Sequence, residues 1–194
     1  MEYQVKTAHG TLFCRREGSG PLLLLIHGVA CDSEFFREAS AILSKKFTVI
    51  SYDRRGYSRS IPAEGETDFS VWAHADDAAE IIGAELKRKH EEEICLEESE
   101  PQMNGAEEQS KVKDGQNIGF FVAGCSAGGA VTAALATKYP ELVRQVFLHE
   151  PLMRGSGELA AEQDAFWEKL HKSAEKHRII TCMMHFVNAM GGMN

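Results

Sequence analysis

The sequence lacks any apolar segment long enough to span a bilayer, since the apolar run Leu22–Ile26 has five residues and a spanning helix needs about 20. Its N-terminus has no basic region followed by an apolar stretch, which excludes a recognisable secretion signal. The five cysteines are odd in number and scattered, without metal-ligand or redox spacing. We therefore predict a reduced, cytoplasmic protein with no membrane span, no metal and no cofactor.

Excess negative charge is confined to one part of the chain. The net charge is -8, and residues 90–117 hold nine acidic side chains against two lysines, a local balance of -7. Such a concentration argues against nucleic acid as a partner and says little about the charge of a substrate. This stretch also has few large apolar residues and contains Pro101, Asn104 and Gly105 as helix breakers, so we interpret it as a solvated insertion.

The remaining pattern alternates short apolar strands with amphipathic helices. Residues 3–7 and 11–15 predict an N-terminal hairpin. The continuously apolar run at 22–26 and the similar, mainly apolar segments at 47–52, 118–123 and 143–148 predict buried parallel strands. A first helix can begin after a cap at Asp32 or Ser33, with Phe35, Phe36, Ala39, Ile42 and Leu43 on one face. Helical spacing also spans Trp72 to Leu86 and occupies about residues 127–139 before Pro140. The fold class is therefore α/β, a mostly parallel sheet flanked by helices.

Residues 1–151 form the predicted core, with the acidic insertion at 90–117. Residues 152–194 show helical spacing without a further strand, and we predict a partial helical cap or lid there. A chain that ends within its lid, with the C-terminal strands of the sheet missing, is the simplest account of this pattern. Such an end leaves residues 143–148 as an apolar sheet edge, which predicts self-association.

The most informative motif is the sequence Gly-Cys-Ser-Ala-Gly-Gly at residues 124–129, between an apolar strand and an alanine-rich helix. A serine in Gly-x-Ser-x-Gly at such a junction is typical of a catalytic nucleophile on a strained turn, where small neighbours permit close packing. A phosphate-binding loop is disfavoured because neither Gly-x-Gly-x-x-Gly nor a Gly-Lys-Ser/Thr ending is present. The alternative is a plain strand-to-helix turn.

Three motifs in order resemble the α/β-hydrolase family. Residues 22–29 are similar to its strand followed by a His-Gly loop, residues 51–60 to its Asp-x-Arg-Gly block, and residues 124–129 to its nucleophile elbow. The resemblance implies that Ser126 is the nucleophile and that the Val29 and Ala127 N–H groups form the oxyanion hole. His27 then shapes the loop and is not the catalytic base.

The resemblance also implies an acid and a histidine after Ser126, each following a later strand. His149, His171, His177 and His185 lie downstream, but none follows a strand in the required place. Glu150 is a candidate acid at the end of residues 143–148, and a loop-fixing carboxylate is its alternative role. We expect little or no turnover from the chain alone, because loss of the base removes on the order of 10⁶ in kcat.

The sequence thus predicts a serine hydrolase acting on a small ester, amide or thioester. A serine nucleophile disfavours epoxide opening and halide displacement, whose enzymes in this family usually carry aspartate at that position. The alternative is a non-catalytic binding protein that keeps the fold and uses its acidic insertion to meet a basic partner.

Overall fold

The computed structural model describes residues 1–99, 119–153, 161, 163–168 and 172, and for 96–99 the backbone alone. The chain divides into two compact units, Met1–Leu152 and Met153–Asn194. Within the second unit the described residues 161, 163–168 and 172 are helical. Most of the predicted lid at 152–194 lies outside the described residues, so that assignment stays a prediction.

A mostly parallel, mixed sheet forms the centre of the first unit. Among the described residues its strand order is β1-β2-β4-β3-β6-β7, with the short β5 paired to β2. The pairs of β3 with β4, β3 with β6, and β6 with β7 are parallel, and β2 pairs antiparallel with β1, β4 and β5. The strands are β1 (Glu2–Thr7), β2 (Gly10–Glu17), β3 (Leu22–Ile26), β4 (Thr48–Tyr52), β5 (Ile61–Pro62), β6 (Phe120–Cys125) and β7 (Val143–His149).

Strand β3 is central, and all five of its residues are buried, as the continuous apolar run predicts for a strand covered on both faces. Its alternate side chains enter two separate cores. Leu22, Leu24 and Ile26 pack with α2 (Val71–Ser99) and α3 (Ala127–Lys138). Leu23 and Leu25 pack with α1 (Arg37–Leu43) on the opposite face. The predicted α/β fold class is therefore confirmed.

The segment before α1 begins at the predicted cap, but its apolar side chains do not share one face as predicted. The carboxylate of Asp32 accepts a hydrogen bond from Glu34 N–H and caps a 3-10 turn, Ser33–Phe36, which leads into α1. Phe36 packs on the sheet, whereas Phe35 is 58% exposed and Ile42 67% exposed. The apolar stripe expected on one helix face is therefore split, because the tighter 3-10 turn changes the spacing at its start.

Helix α2 runs further than its apolar stripe predicts. The Ser70 hydroxyl accepts from Ala73 N–H at its start, and the helix continues to Ser99. Residues 90–99, predicted as part of an insertion, instead form its last turns, and residues 100–117 of that insertion lie outside the described residues. Glutamate and lysine are good helix formers, and the i,i+4 pairs Lys87–Glu91 and Lys89–Glu93 favour the helix.

Strand β7 is one of the two edge strands of the sheet within the described part of the chain. Six of its seven residues are exposed, and Phe147 on the α1 side is 53% exposed. An apolar strand in this position matches the predicted open edge, while the predicted self-association stays a prediction. No described helix combines the length and the hydropathy needed to cross a membrane.

Candidate active site

Ser126 lies at the junction where β6 ends and α3 begins. Its backbone has φ 53° and ψ −121°, a left-handed φ that costs free energy in a residue other than glycine. The strand, the sharp turn and the helix follow one another without a spacer, so the serine stands at the carboxyl edge of the sheet. Ser126 is therefore held in the strained geometry that the motif predicts.

The glycines around Ser126 are required by close backbone contacts. A Cβ built on Gly124 would overlap the Gly128 carbonyl oxygen, and one built on Gly128 would overlap the carbonyl oxygens of Ile26 and His27. Helix α3 thus crosses directly over the ends of β3 and β6. Any larger residue at position 128 would push the helix away from the sheet.

Backbone hydrogen bonds hold the elbow from both sides. Ser126 N–H donates to the carbonyl oxygen of His149 at 2.9 Å, and the carbonyl oxygen of Ser126 accepts from Leu152 N–H at 2.9 Å and from Gly129 N–H at 2.9 Å. The segment after β7 is therefore part of the support of the turn.

The loop after β3 lies against Ser126. A Cβ built on Gly28 would be 3.2 Å from Ser126 Cβ and 3.7 Å from Ser126 Oγ, so only glycine leaves this approach free. Val29 follows directly, and Ala127 is the first residue of α3. Neither the Val29 N–H nor the Ala127 N–H is a donor in the backbone hydrogen bonds of the loops and turns among the described residues. Ala127 is the first residue of its helix, and the N–H of a first helical residue has no acceptor within that helix.

His27 is fully buried and uses both ring nitrogens. Nε2 accepts a hydrogen bond of 2.9 Å from Arg54 N–H, which leaves the ring proton on Nδ1, 2.8 Å from the Gly28 carbonyl oxygen. Burial, together with a smaller effect of the Arg54 charge, lowers the pKa of His27 from 6.5 to about 4, although the Gly28 hydrogen bond acts in the opposite direction. The neutral ring therefore fixes the loop and has no free nitrogen with which to deprotonate Ser126.

The loop after β4 is held by a buried carboxylate. Asp53 accepts from the Ser33 N–H at 3.0 Å, from Ser33 Oγ at 2.7 Å and from Arg59 Nε at 2.7 Å. Arg54 Nη2 donates to the Gly28 carbonyl oxygen at 2.9 Å, so this loop also fixes the loop after β3. The role of Ser33 was not predicted, because its partner is 20 residues away and only the sheet brings them together.

The turn at residue 58 also has a feature that its sequence does not predict. Ser58 has φ 45°, in a region that glycine occupies at lower cost. The turn therefore has a left-handed backbone at a residue other than glycine. Ala30 and Glu150 have left-handed φ values of 55° and 45°, so strained residues also follow β3 and β7.

The candidate acid and base are not assembled around Ser126 in the described part of the chain. Glu150 follows β7 and is exposed, and among the described residues no imidazole nitrogen is hydrogen bonded to Ser126 Oγ. The His149 ring instead lies with Nδ1 3.5 Å from Cys125 Sγ, a contact not predicted from the sequence. His171, His177 and His185 lie outside the described residues. No cluster of three or more potential metal ligands occurs among the described residues.

Comparison with known proteins indicates the same fold. Residues 21–90 match the family model described as alpha/beta hydrolase fold. The uncharacterized hydrolase YraK of Bacillus subtilis is 31% identical over 160 residues, which cover 80% of this chain and 47% of that protein. The 2-(acetamidomethylene)succinate hydrolase of Mesorhizobium japonicum is 32% identical over 136 residues, covering 70% and 37%.

A solved structure extends this likeness to three dimensions. The crystal structure of E-2-(acetamidomethylene)succinate hydrolase matches with a TM-score of 0.55 and 29% identity, over 75% of this chain and 42% of that one. The chain belongs to the α/β-hydrolase fold family. It spans less than half the length of the curated relatives described above.

In an α/β hydrolase the loops at the carboxyl edge of the sheet are where the catalytic groups meet. This chain places Ser126, the loop after β3 and the loop after β7 at that edge. The order of the elements is that of the family, with the His-Gly loop after β3 and the elbow after β6.

Proposed function

We propose that this α/β-hydrolase chain provides the nucleophile and oxyanion hole of a serine hydrolase acting on a small ester, amide or thioester. The observation that supports it most is the strained Ser126 at the start of α3, with the loop after β3 against its side chain. A turn that merely joined a strand to a helix would not require such a conformation. The free-energy cost of this backbone conformation is explained if Ser126 Oγ must project away from the sheet.

In the proposed reaction, Ser126 Oγ attacks the substrate carbonyl carbon, and the Val29 and Ala127 N–H groups stabilise the negative charge that develops on the carbonyl oxygen. Ala127 begins α3, so the positive end of the helix dipole faces the same charge. The bond from the carbonyl carbon to the leaving group then breaks, and water releases the acyl group from the serine. The hydrolysis of 2-(acetamidomethylene)succinate, for which one relative is named, supports a carbonyl substrate.

The proposed reaction needs a base for the Ser126 proton. His27 is unsuitable because both of its ring nitrogens are engaged. Glu150 follows β7, on the segment that supports the elbow, and we propose it as the acid that orients the base. Without a positioned histidine, turnover falls by on the order of 10⁶, so we expect the isolated chain to be a poor catalyst.

A fluorophosphonate probe tests the nucleophile, since it reacts covalently with activated serines. Because no positioned histidine lies among the described residues, we expect slow labelling of the chain, and we expect Ser126→Ala to lose that labelling. Ser19→Ala is the matched control, because Ser19 is exposed in the turn before β3, and it should label as the unmodified chain does. Equal labelling of Ser126→Ala and the unmodified chain would exclude Ser126 as the reactive group.

The second candidate is a non-catalytic binding protein with the same fold. It is favoured by the absence of any imidazole hydrogen bonded to Ser126 Oγ among the described residues. The intact mass of the protein from its natural source separates the two candidates. A mass near 21.5 kDa favours the binding protein, and a substantially larger mass favours an enzyme of which this chain is a part.

A further inference from the structure

The carbonyl oxygen of Gly28 accepts two buried hydrogen bonds from side chains. His27 Nδ1 donates to it at 2.8 Å, and Arg54 Nη2 donates to it at 2.9 Å. Gly28 lies against Ser126, since a Cβ built on it would be 3.2 Å from Ser126 Cβ. Both donors therefore act on a peptide unit that lies next to Ser126.

This oxygen belongs to the same peptide unit as the Val29 N–H. The peptide is trans, so it is planar and its N–H points away from its C=O. A contact that fixes the direction of the Gly28 carbonyl thus also fixes the direction of the Val29 N–H. That N–H is not a donor in the loop and turn hydrogen bonds of the described residues, so it is available to an oxygen of a substrate.

Arg54 brings a buried charge to this peptide unit without a carboxylate partner. It is 3% exposed, and no ion pair of the described residues includes it. The next residue, Arg55, differs, because Asp77 and Glu66 balance its charge at 2.9 and 3.1 Å. The Arg54 guanidinium instead lies over the Tyr57 ring, with Cζ 4.4 Å from the ring centroid. An unpaired buried cation is costly, so its presence beside this loop requires a physical reason.

Support of the loop alone does not explain the charge of Arg54. Without the guanidinium, the Gly28 carbonyl would keep its hydrogen bond from His27 Nδ1. The other bond from Arg54 to the loop, to His27 Nε2, comes from the backbone N–H, which any residue except proline can supply. Residue 54 is also the unspecified position of the Asp-x-Arg-Gly block, so that motif does not require arginine there.

The Arg54 charge acts on groups at both ends of the loop that contains Val29. Burial has the largest effect on the pKa of both His27 and Cys31, lowering the first and raising the second, and the Arg54 charge lowers the pKa of each. The field of this charge therefore extends over the Val29 N–H.

We propose that Arg54 is a positioning residue for the oxyanion hole, whose guanidinium on the Gly28 carbonyl orients the Val29 N–H and strengthens it as a donor. This inference rests on the proposed function. Hydrogen bonds in a chain polarise one another, so a cation on the carbonyl oxygen makes the N–H of the same peptide more positive. The same charge, in a buried site, also stabilises the negative charge that develops on the substrate oxygen.

The backbone amide signal of Val29 in NMR spectra tests the positioning role without any substrate. Loss of a hydrogen bond at a carbonyl oxygen moves the nitrogen signal of the following amide upfield. We expect this shift for Val29 in Arg54→Met and a smaller shift in Arg54→Lys, which keeps the charge. Arg55→Lys is the matched control, because it changes a buried arginine whose charge is paired with Asp77 and Glu66, and it should leave the Val29 signal in place.

Labelling of Ser126 by a fluorophosphonate tests the consequence for the oxyanion hole. Loss of one oxyanion donor costs on the order of 10²–10³ in rate, and we expect the misdirected donor of Arg54→Met to cost about 10-fold. Arg54→Lys should keep most of the rate, and Arg55→Lys should label as the unmodified chain does. The urea midpoint of Arg54→Met should stay close to that of the unmodified chain, because replacing buried charged groups by apolar side chains is often neutral for stability.

The outcomes separate this role of Arg54 from the proposed hydrolase. A Val29 signal that moves no further in Arg54→Met than in Arg55→Lys overturns the positioning role. A displaced signal with an unchanged labelling rate overturns its effect on the oxyanion hole. If Ser126 is unlabelled in the unmodified chain, the proposed hydrolase fails, and the Val29 signal still decides the role of Arg54. Arg54→Gln, which loses the charge but keeps a polar side chain, supplies the same measurements if Arg54→Met does not fold.

Discussion

The backbone N–H of Ser126 donates a 2.9 Å hydrogen bond to the carbonyl oxygen of His149. This bond joins the turn at Ser126 to the last residue of β7, one of the two edge strands of the described sheet. Three residues later, Leu152 N–H returns to the carbonyl oxygen of Ser126. The geometry of this turn therefore depends on the correct pairing of β7, although most residues of β7 are exposed.

His27 makes the stability of the fold sensitive to mild acid. Its folded-state pKa of about 4 lies below the unfolded value of 6.5, so the unfolded chain binds the proton more tightly. The neutral His27 ring therefore contributes about 3 kcal/mol to the free energy of unfolding. This contribution is fully present above pH 6.5 and is lost as the pH falls toward 4. Urea denaturation between pH 7 and 4.5 measures this slope. His27→Gln, which cannot titrate, should be less stable at pH 7 and show a smaller slope; an unchanged slope would contradict the assignment.

Asp53 is expected to contribute strongly to stability through its buried hydrogen bonds. Asp53→Ala leaves Ser33 and Arg59 without their acceptor, and removing one partner of a buried ion pair costs about 3–5 kcal/mol. We expect about 2–3 kcal/mol, because the Arg59 side chain is 35% exposed and water can replace part of the loss. Chemical denaturation at pH 7 measures the change. Glu38→Ala, an exposed carboxylate of α1, is the control and should shift stability by no more than ~0.5 kcal/mol.

The contribution of Asp53 to stability, like that of His27, is lost as the pH falls, but the loss occurs at lower pH. Burial by itself would raise the pKa of Asp53, yet hydrogen bonds from Arg59 and Ser33 outweigh it and hold the pKa below the ordinary value. The contribution is therefore present above about pH 4 and is lost as the pH falls through the folded-state pKa. The difference in stability between the unmodified chain and Asp53→Ala should therefore shrink in strong acid. A difference that does not change with pH would contradict the assignment of this stability to the ionised Asp53 carboxylate.

Two glycine-to-alanine substitutions should have opposite effects. Gly128→Ala forces a methyl group onto the carbonyl oxygens of Ile26 and His27 and should destabilise the fold by at least ~2 kcal/mol. Gly83→Ala, in α2 with nothing near its Cβ position, should stabilise it by about 0.5–1 kcal/mol. Thermal or urea unfolding distinguishes them. A neutral Gly128→Ala would mean that α3 does not cross β3 as closely as described.

The exposed edge of β7 should govern self-association, which we propose occurs by strand pairing. Phe147→Lys places a charge on this edge, and charged residues oppose edge-to-edge pairing. We expect fewer oligomers by sedimentation velocity and less light scattering. Phe35→Lys changes an equally exposed phenylalanine away from β7 and serves as the control. If both substitutions lower association equally, general hydrophobicity is responsible and the edge is not.

Most of the elements follow from local sequence. The strands β3, β6 and β7 and the helix α3 are predicted to within two residues, because continuous apolar runs and helical spacing reflect burial by neighbouring elements. The position of Ser126 is predicted as well, since only small residues fit where a strand turns at once into a helix. The prediction of an insertion is wrong at residues 90–99, which continue helix α2. A high density of charge indicates exposure to solvent, but it does not distinguish a solvated helix from a loop.

The sequence by itself determined the α/β class and the strand-to-helix turn at Ser126, because both depend on patterns within a few consecutive residues. Only the tertiary structure decided which distant groups meet: Asp53 with Ser33, Arg54 N–H with His27, and Cys125 with His149. These contacts depend on the order and register in which parallel strands align. The elbow that the motif predicts is thus completed by β7, whose pairing with β6 brings His149 to Ser126.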